Sequence, residues 1–334
     1  MALILPRIEK KSQVAVIGAG LAGLSCASAL AKAGIQVKVF EKSRGVAGRM
    51  STRKSDGWQC DHGARYFTAR DPAFQNQLAI WLEQGVAAQW QTPIGVYENQ
   101  AWHSSKSSDA RYVGTPWMTS PAHHLAKSLE IHTGHTITSI NRMQQQWQLN
   151  TAEYGLLDYH PDWVISAIPA PQALALTKAI DPAITGLHEK AKTEGCWTIM
   201  LRFNQAITMP VEAAFINEGI LSWVVRNNAK PHRTGEEVWV IHAQSQWSQD
   251  HIDADPLTIA PQMIAAFIAL GGKAPAAHAI HRWRYASSAT SFQEGFHCDF
   301  ERGIGYCGDW LNGGRVEGAW LSGQALANTI IAVD

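Results

Sequence analysis

Hydrophobic and polar positions divide this chain into stretches of different texture. Residues 13–17 form a short apolar run rich in Val, which predicts a strand buried on both faces. Residues 21–33 follow with apolar positions at helical spacing, and Gly34 stands where a helix C-terminus takes glycine. Residues 36–40 predict a second buried strand, so the chain opens as a strand–helix–strand unit. Residues 163–168, stopped by Pro169 and Pro171, and residues 303–307, before Gly308-Asp309, predict buried strands that return to the same sheet.

The middle reads differently. Residues 196–203, 220–226, 238–243 and 279–285 are strand-like, several with alternating or aromatic-rich patterns. Residues 256–270 form an amphipathic helical pattern ended by Gly271-Gly272. Strands without helices between them predict a separate, mostly antiparallel sheet. The expected fold class is α/β: a Rossmann-type dinucleotide domain built from residues 1–72, 120–172 and 278–334, with a β-sheet substrate domain from 73–119 and 173–277.

Charge narrows the function classes. Lys plus Arg and Asp plus Glu are 28 each, so the broad basic field that nucleic acid or an anionic membrane requires is missing. The five cysteines are scattered, with no C-x-x-C and no zinc spacing, so no metal site is expected. Their odd number, with residues 1–13 too short and too charged for a secretory leader, predicts reduced thiols in a cytoplasm. No apolar run approaches the roughly 20 residues of a membrane helix. The 14 tryptophans suit a core, and also a pocket that receives planar rings.

The candidate chemistry begins at Gly18-Ala19-Gly20-Leu21-Ala22-Gly23, a G-x-G-x-x-G placed between strand and helix. Gly18 permits the tight turn, Gly20 lets backbone approach a pyrophosphate, and Gly23 lets helix pack closely on strand. Glu41 ends the second strand, placed to accept from both hydroxyls of an adenosine ribose. Lys42 to Met50 then resembles the Gly-Gly-Arg extension of many FAD oxidoreductases, with Ala47 in place of the first glycine and Arg49 as a further pyrophosphate contact. At the far end, Gly308-Asp309-Trp310 and Gly313 to Ala319 look like a C-terminal flavin motif. Asp309 would meet the ribityl or phosphate region, and the helix N-terminus at Arg315, Val316 and Ala319 would face the isoalloxazine, where reduced flavin carries negative charge. Non-covalent FAD is the expected cofactor. Cys307 is excluded as a covalent anchor because a strand position before Gly308 faces the sheet core.

Further segments carry a family likeness: Asp61-His62-Gly63-Ala64-Arg65-Tyr66-Phe67-Thr68-Ala69-Arg70, Ser245-Gln246-Trp247-Ser248, His281-Arg282-Trp283-Arg284-Tyr285-Ala286 and Arg315 to Gln324. On these the chain resembles the bacterial renalases, flavoprotein oxidases within the wider amine-oxidase-like FAD group, and the resemblance runs from Val14 to the last helix. It implies an amine-oxidase-like or p-hydroxybenzoate-hydroxylase-like architecture and oxidation of the 2- and 6-dihydro isomers of NAD(P)H to NAD(P)+. The hydride would pass to flavin N5, and O2 would leave as H2O2. Losing a hydride from a dihydropyridine gives an aromatic pyridinium directly, so no general base and no catalytic side chain are expected. Arg65 departs from the family pattern, where Gln is expected.

The resemblance places Gly63, Ala64, Arg65, Tyr66, Phe67 and Thr68 beside flavin and substrate, with Thr68 offering a hydroxyl to a carboxamide. Trp197 and Thr198 start a middle strand expected to reach over the flavin face. Alternation points His281, Trp283 and Tyr285 one way and Arg282 and Arg284 the other. Arg315 is the cation expected near flavin or substrate, and His242 and His278 read as satisfied structural groups. Competing readings are a conventional amine oxidase or desaturase, an NAD-dependent dehydrogenase, and a non-enzymatic flavin-bearing module.

Overall fold

The computed structural model describes residues 12–55, 57–288 and 292–332, so the reading of the first residues as no leader lies almost wholly outside it. The opening unit forms as the pattern predicts: strand Gln13–Ile17, helix Leu21–Lys32, strand Gln36–Glu41. Val14, Ala15 and Val16 are fully buried, as a central parallel strand requires. Six strands make this sheet, in the order Phe296–Asp299, Ile304–Cys307, Trp163–Ser166, Gln13–Ile17, Gln36–Glu41, Glu130–Thr133. All neighbours are parallel except the first pair. The chain order switches direction at Gln13–Ile17, and in such sheets a crevice opens there, outside the carboxyl ends of the strands.

Close packing at the switch point has a visible cause. A Cβ on Gly23 would lie 2.0 Å from the Gly18 carbonyl oxygen and 3.0 Å from the Ala167 Cβ, so only glycine lets the first helix settle there. The closing helix, Val316–Ile331, packs along Leu21–Lys32. Ser25 Oγ donates to the Trp320 carbonyl (2.8 Å), and Gln324 Nε2 donates to the Ser25 carbonyl (2.9 Å), tying together the two ends of the chain.

The second sheet has seven strands: Ala277–Ser288, Thr193–Phe203, Glu237–Ala243, Leu221–Arg226, Ala213–Ile216, Gly95–Glu98 and Ala101–Ser104. Its pairs are antiparallel apart from Ala213–Ile216 with Gly95–Glu98. Trp197, Ile199 and Leu201 bury one face against Ile259, Met263 and Phe267 of helix Pro256–Ala269. Asp255 starts that helix by accepting from the Leu257 N–H (2.8 Å).

Two stretches fall on the other side of the division expected from the sequence. Ala277–Ser288 belongs to the seven-stranded sheet, because it pairs along most of Thr193–Phe203. Helix Pro182–Lys190 places Ile184 in one core with Ala15, Ile17 and Phe40 of the six-stranded sheet.

One buried contact ties a small two-stranded sheet, Thr52–Ser55 with Trp58–Asp61, to the loop between Leu221–Arg226 and Glu237–Ala243 of the seven-stranded sheet. Asp61, at the end of strand Trp58–Asp61, accepts from Lys230 Nζ (3.1 Å) and from Arg233 Nε (3.1 Å) and a terminal nitrogen of the same guanidinium (2.7 Å). All three side chains are shut away from solvent. Burial works against the charged carboxylate, but the two cations outweigh it and hold the Asp61 carboxyl well below the usual range.

Candidate dinucleotide cleft and substrate pocket

A cleft of about 1720 Å³ runs between the sheets, lined by the switch-point loop, the start of the closing helix and the exposed face of the middle sheet. Pockets for single drug-sized ligands hold roughly 300–1,000 Å³, so this one has room for a dinucleotide and a second molecule.

The nucleotide half is built on the first strand–helix unit. Gly18 adopts φ +105° and turns the chain. A Cβ on Gly20 would meet nothing within 4 Å, so backbone at the helix N-terminus lies open to a phosphate. Glu41 lines the cleft, its two oxygens accepting from the Ala19 and Ser43 N–H groups (2.8 Å each). A carboxylate has about four acceptor positions, which leaves capacity for ribose hydroxyls. Ala19 and Gly23 do not line the cleft as expected. The Ala19 N–H is taken by Glu41 and its carbonyl accepts from Ala47 N (2.9 Å), while Gly23 packs underneath against the turn. Lys42 stands exposed at the rim.

Arg49 is expected at the pyrophosphate and Asp309 at the ribityl or phosphate region. Both line the cleft, and they form an ion pair with each other, with Arg49 also donating to the Ala286 carbonyl at 3.5 Å. Ala47, where the extension motif has glycine, is buried with φ +93°. Gly63 lines the cleft, and the next N–H, of Ala64, donates to the Arg49 carbonyl (2.8 Å). The first turn of the closing helix brings Val316 and Ala319 to the cleft behind an exposed Arg315 at its N-cap. Two helix N-termini, a ribose-accepting carboxylate and one continuous cleft fit FAD. Cys307 lies buried outside the cleft, its Sγ against that of Cys26, which suits non-covalent binding.

The substrate half is aromatic and basic. Tyr66 packs between Trp90 and Trp223, with ring centroids 6.1 Å away in each case, and the Arg111 guanidinium lies 5.5 Å from its ring. Thr68 lines the cleft. Phe67 reaches its edge, but its ring is buried edge-on against Phe74 and Trp81. His281 and Trp283 line the cleft and cluster with His62, whose carbonyl accepts from Trp283 Nε1 (3.0 Å). Arg282 and Arg284 also line the cleft, tied to the Ile252 carbonyl (2.8 Å) and Asp253 (2.8 Å).

Trp197 and Thr198 are corrected. Neither lines the cleft: Trp197 is fully buried, donating its Nε1 hydrogen to the His251 carbonyl (3.0 Å), and Thr198 is fully buried on the opposite face. Strand alternation with a bulge between Glu194 and Cys196 brings Cys196 to the cleft instead. His242 is a second correction. Read as structural, it lines the cleft; Nδ1 accepts from Arg65 Nε (3.3 Å), and Nε2 makes no hydrogen bond of normal geometry. Its partners Ser222, Phe215 and Trp223 come from neighbouring strands and carry no local sequence signal.

Desolvation sets the protonation states. Burial, then His281 and Arg53, push the His62 imidazole down to about 3. Burial and then Arg65 hold His242 well below its ordinary value, and burial followed by Arg53 lowers His281. Burial raises the Cys196 thiol above its ordinary value. At neutral pH the histidines are uncharged and weakly basic, and Cys196 is a thiol.

Comparisons with known proteins agree with this architecture. A model described as an NAD(P)-binding Rossmann-like domain matches residues 16–79. A 4,4'-diapophytoene desaturase of Staphylococcus haemolyticus is 52% identical over 50 residues, 15% of this chain and 10% of that protein. A Staphylococcus aureus counterpart is 47% identical over 51 residues, with the same coverage. The matched stretch thus spans only a tenth of those relatives. Among solved structures, a proposed protoporphyrinogen oxidase from Exiguobacterium superposes with a TM-score of 0.79 at 13% identity, over 97% of this chain and 99% of that one. A putrescine oxidase variant gives 0.72 at 12% identity, over 97% and 99%. Cyclohexylamine oxidase from Brevibacterium oxydans gives 0.72 at 10% identity, over 97% and 99%. The fold is that of the amine-oxidase-like flavoproteins, and its cleft fits FAD held without a covalent bond.

Proposed function

We propose that this chain is an FAD-dependent oxidase of the 2- and 6-dihydro isomers of NAD(P)H. When bound, FAD supplies a two-electron acceptor that takes a hydride at N5 and passes the electrons to O2, which leaves as H2O2 with one further proton from solvent. The reading is carried by the substrate half of the cleft: aromatic walls for a flat ring, and titratable groups shifted away from base duty. His62 sits near 3, His242 and His281 are lowered, and Cys196 is raised. Such groups are poor proton acceptors, which suits a donor that becomes aromatic by losing a hydride alone. The chain's own part is to stack and orient the ring through Tyr66, His281 and Trp283, and to present the closing helix N-terminus where negative charge develops.

A conventional amine oxidase or desaturase is the second reading, favoured by the shared fold and the desaturase match. Against an ammonium substrate stands Arg65, a cation in the cleft wall without an acidic partner among the described residues. The test is anaerobic mixing of FAD-loaded protein with borohydride-treated NAD+, which contains the isomers. Bleaching of the flavin by that mixture, but not by 4-dihydro NADH or simple amines, is expected. No bleaching by the isomers overturns the proposal and leaves the cofactor assignment untouched.

A further inference from the structure

Arg65 lines the substrate half of the cleft. It is drawn into the wall among Phe215 and Trp223, with its guanidinium carbon 5.7 and 5.3 Å from their rings. Its Nε donates to His242 Nδ1 (3.3 Å) and one terminal nitrogen donates to Ser222 Oγ (3.0 Å). Ser222 is fixed in turn, donating to the Ala243 carbonyl (2.9 Å). A guanidinium has five N–H donors, so three remain.

Among the described residues the protein supplies no counter-ion. Each carboxylate lining the cleft is engaged elsewhere: Glu41 with backbone N–H groups, Asp309 with Arg49, Asp109 with Arg70, and Glu317 with the N–H groups of Arg70 and Asp71 (2.6 and 2.7 Å). A half-buried cation with no carboxylate beside it is poised for an anionic ligand. His242, whose Nδ1 accepts from Arg65, bears its hydrogen on Nε2, directed at the His62 backbone. Every remaining polar valence of Arg65 is a donor. A carboxamide offers donors and acceptors together and leaves a mismatch. A carboxylate offers only acceptors, in a plane matching the guanidinium fork.

We propose that Arg65, positioned by His242 and Ser222, forms a carboxylate receptor in the substrate pocket, so that a flat ring bearing a carboxylate binds there more tightly than the corresponding carboxamide. The identity of the ring rests on the oxidase reading above, and the receptor moves its preferred substrate from the nicotinamide dinucleotides to their nicotinate counterparts.

The probes are nicotinate and nicotinamide, titrated into FAD-loaded protein and followed by flavin absorbance and tryptophan fluorescence. Nicotinate is expected to bind about tenfold or more tightly, as a charge-assisted bidentate pair requires. Arg65→Gln removes that preference, Arg65→Lys keeps part of it, and thermal unfolding confirms that each variant is folded. Arg65→Met serves as a second neutral variant, expected to lose the preference as well. Equal binding of the two probes by the parent protein, an unchanged preference in the neutral variants, or inorganic phosphate competing as well as nicotinate overturns the proposal. The two readings fail separately. A nicotinate preference in protein whose flavin no dihydro isomer bleaches removes the oxidase and keeps the receptor. Bleaching by the nicotinamide isomers with no acid preference does the reverse.

Discussion

Two cationic sites, one buried and one half-buried in the cleft wall, lie within a few residues of each other, and they are built on opposite principles. At Asp61 one carboxylate meets both Lys230 and Arg233, with no free carboxylate left for a ligand. At Arg65 a guanidinium meets a histidine, a hydroxyl and two aromatic faces, and no acid. The first site ties a small two-stranded sheet to a loop of the seven-stranded one. The second opens on the cleft with its charge unanswered. A buried ion that the fold neutralises belongs to the architecture, whereas one it leaves bare points toward a ligand.

The largest expected effect separates the two sites by stability. Asp61→Asn leaves two cations buried without their counter-ion and should destabilise the protein by about 3–5 kcal/mol, read by denaturant unfolding. Arg65→Gln removes an uncompensated charge and should stay within about 1 kcal/mol of the parent. Equal losses at both positions would break the comparison.

Acid should separate them next. His242 has a folded pKa below its unfolded value, so the unfolded state binds more protons, and stability falls as pH drops below about 6.5. His62, held near 3, adds to the same slope. Each depressed histidine contributes at most about 1.4 kcal/mol per pH unit in this window. Asp61 is also depressed, so its contribution is present above the unfolded carboxyl value and is lost only as pH falls below about 4. Arg65→Gln lifts part of the pressure on His242 and should flatten the slope between pH 5 and 6.5, leaving the lower window alone; unfolding midpoints across pH measure both.

The smallest effect concerns the floor of the cleft. Ala47 holds a left-handed conformation where the motif has glycine. Ala47→Gly should gain about 0.5–1 kcal/mol, the strain relieved less the added freedom of the unfolded chain. A loss of stability would show that the Ala47 methyl makes packing contacts worth more than that strain.

Much of the nucleotide half was legible in the sequence because its signals are local. Gly18, Gly20, Glu41 and the closing-helix turn at Val316 and Ala319 each owe their place to neighbours within a turn or a strand. The substrate half was legible only in part. Tyr66, Thr68, His281 and Trp283 reach the cleft as the resemblance implies. Trp197 does not, because one bulge before Cys196 decides which side chains of that strand face the ligand. His242 was passed over because a histidine on a strand looks the same whether it faces core or cleft.

What the chain's order of residues determined by itself is the frame: a strand–turn–helix–strand opening, an antiparallel middle and a glycine-rich return, all set by short-range periodicity and turn chemistry. What only the tertiary structure decided is which charges are answered. Asp61 finds Lys230, 169 positions along the chain, while among the described residues Arg65 finds no acid. Local pattern specifies a side chain's chemistry; its partner is chosen by packing between segments far apart in the chain, and that choice makes one cation structural and leaves the other ready for a ligand.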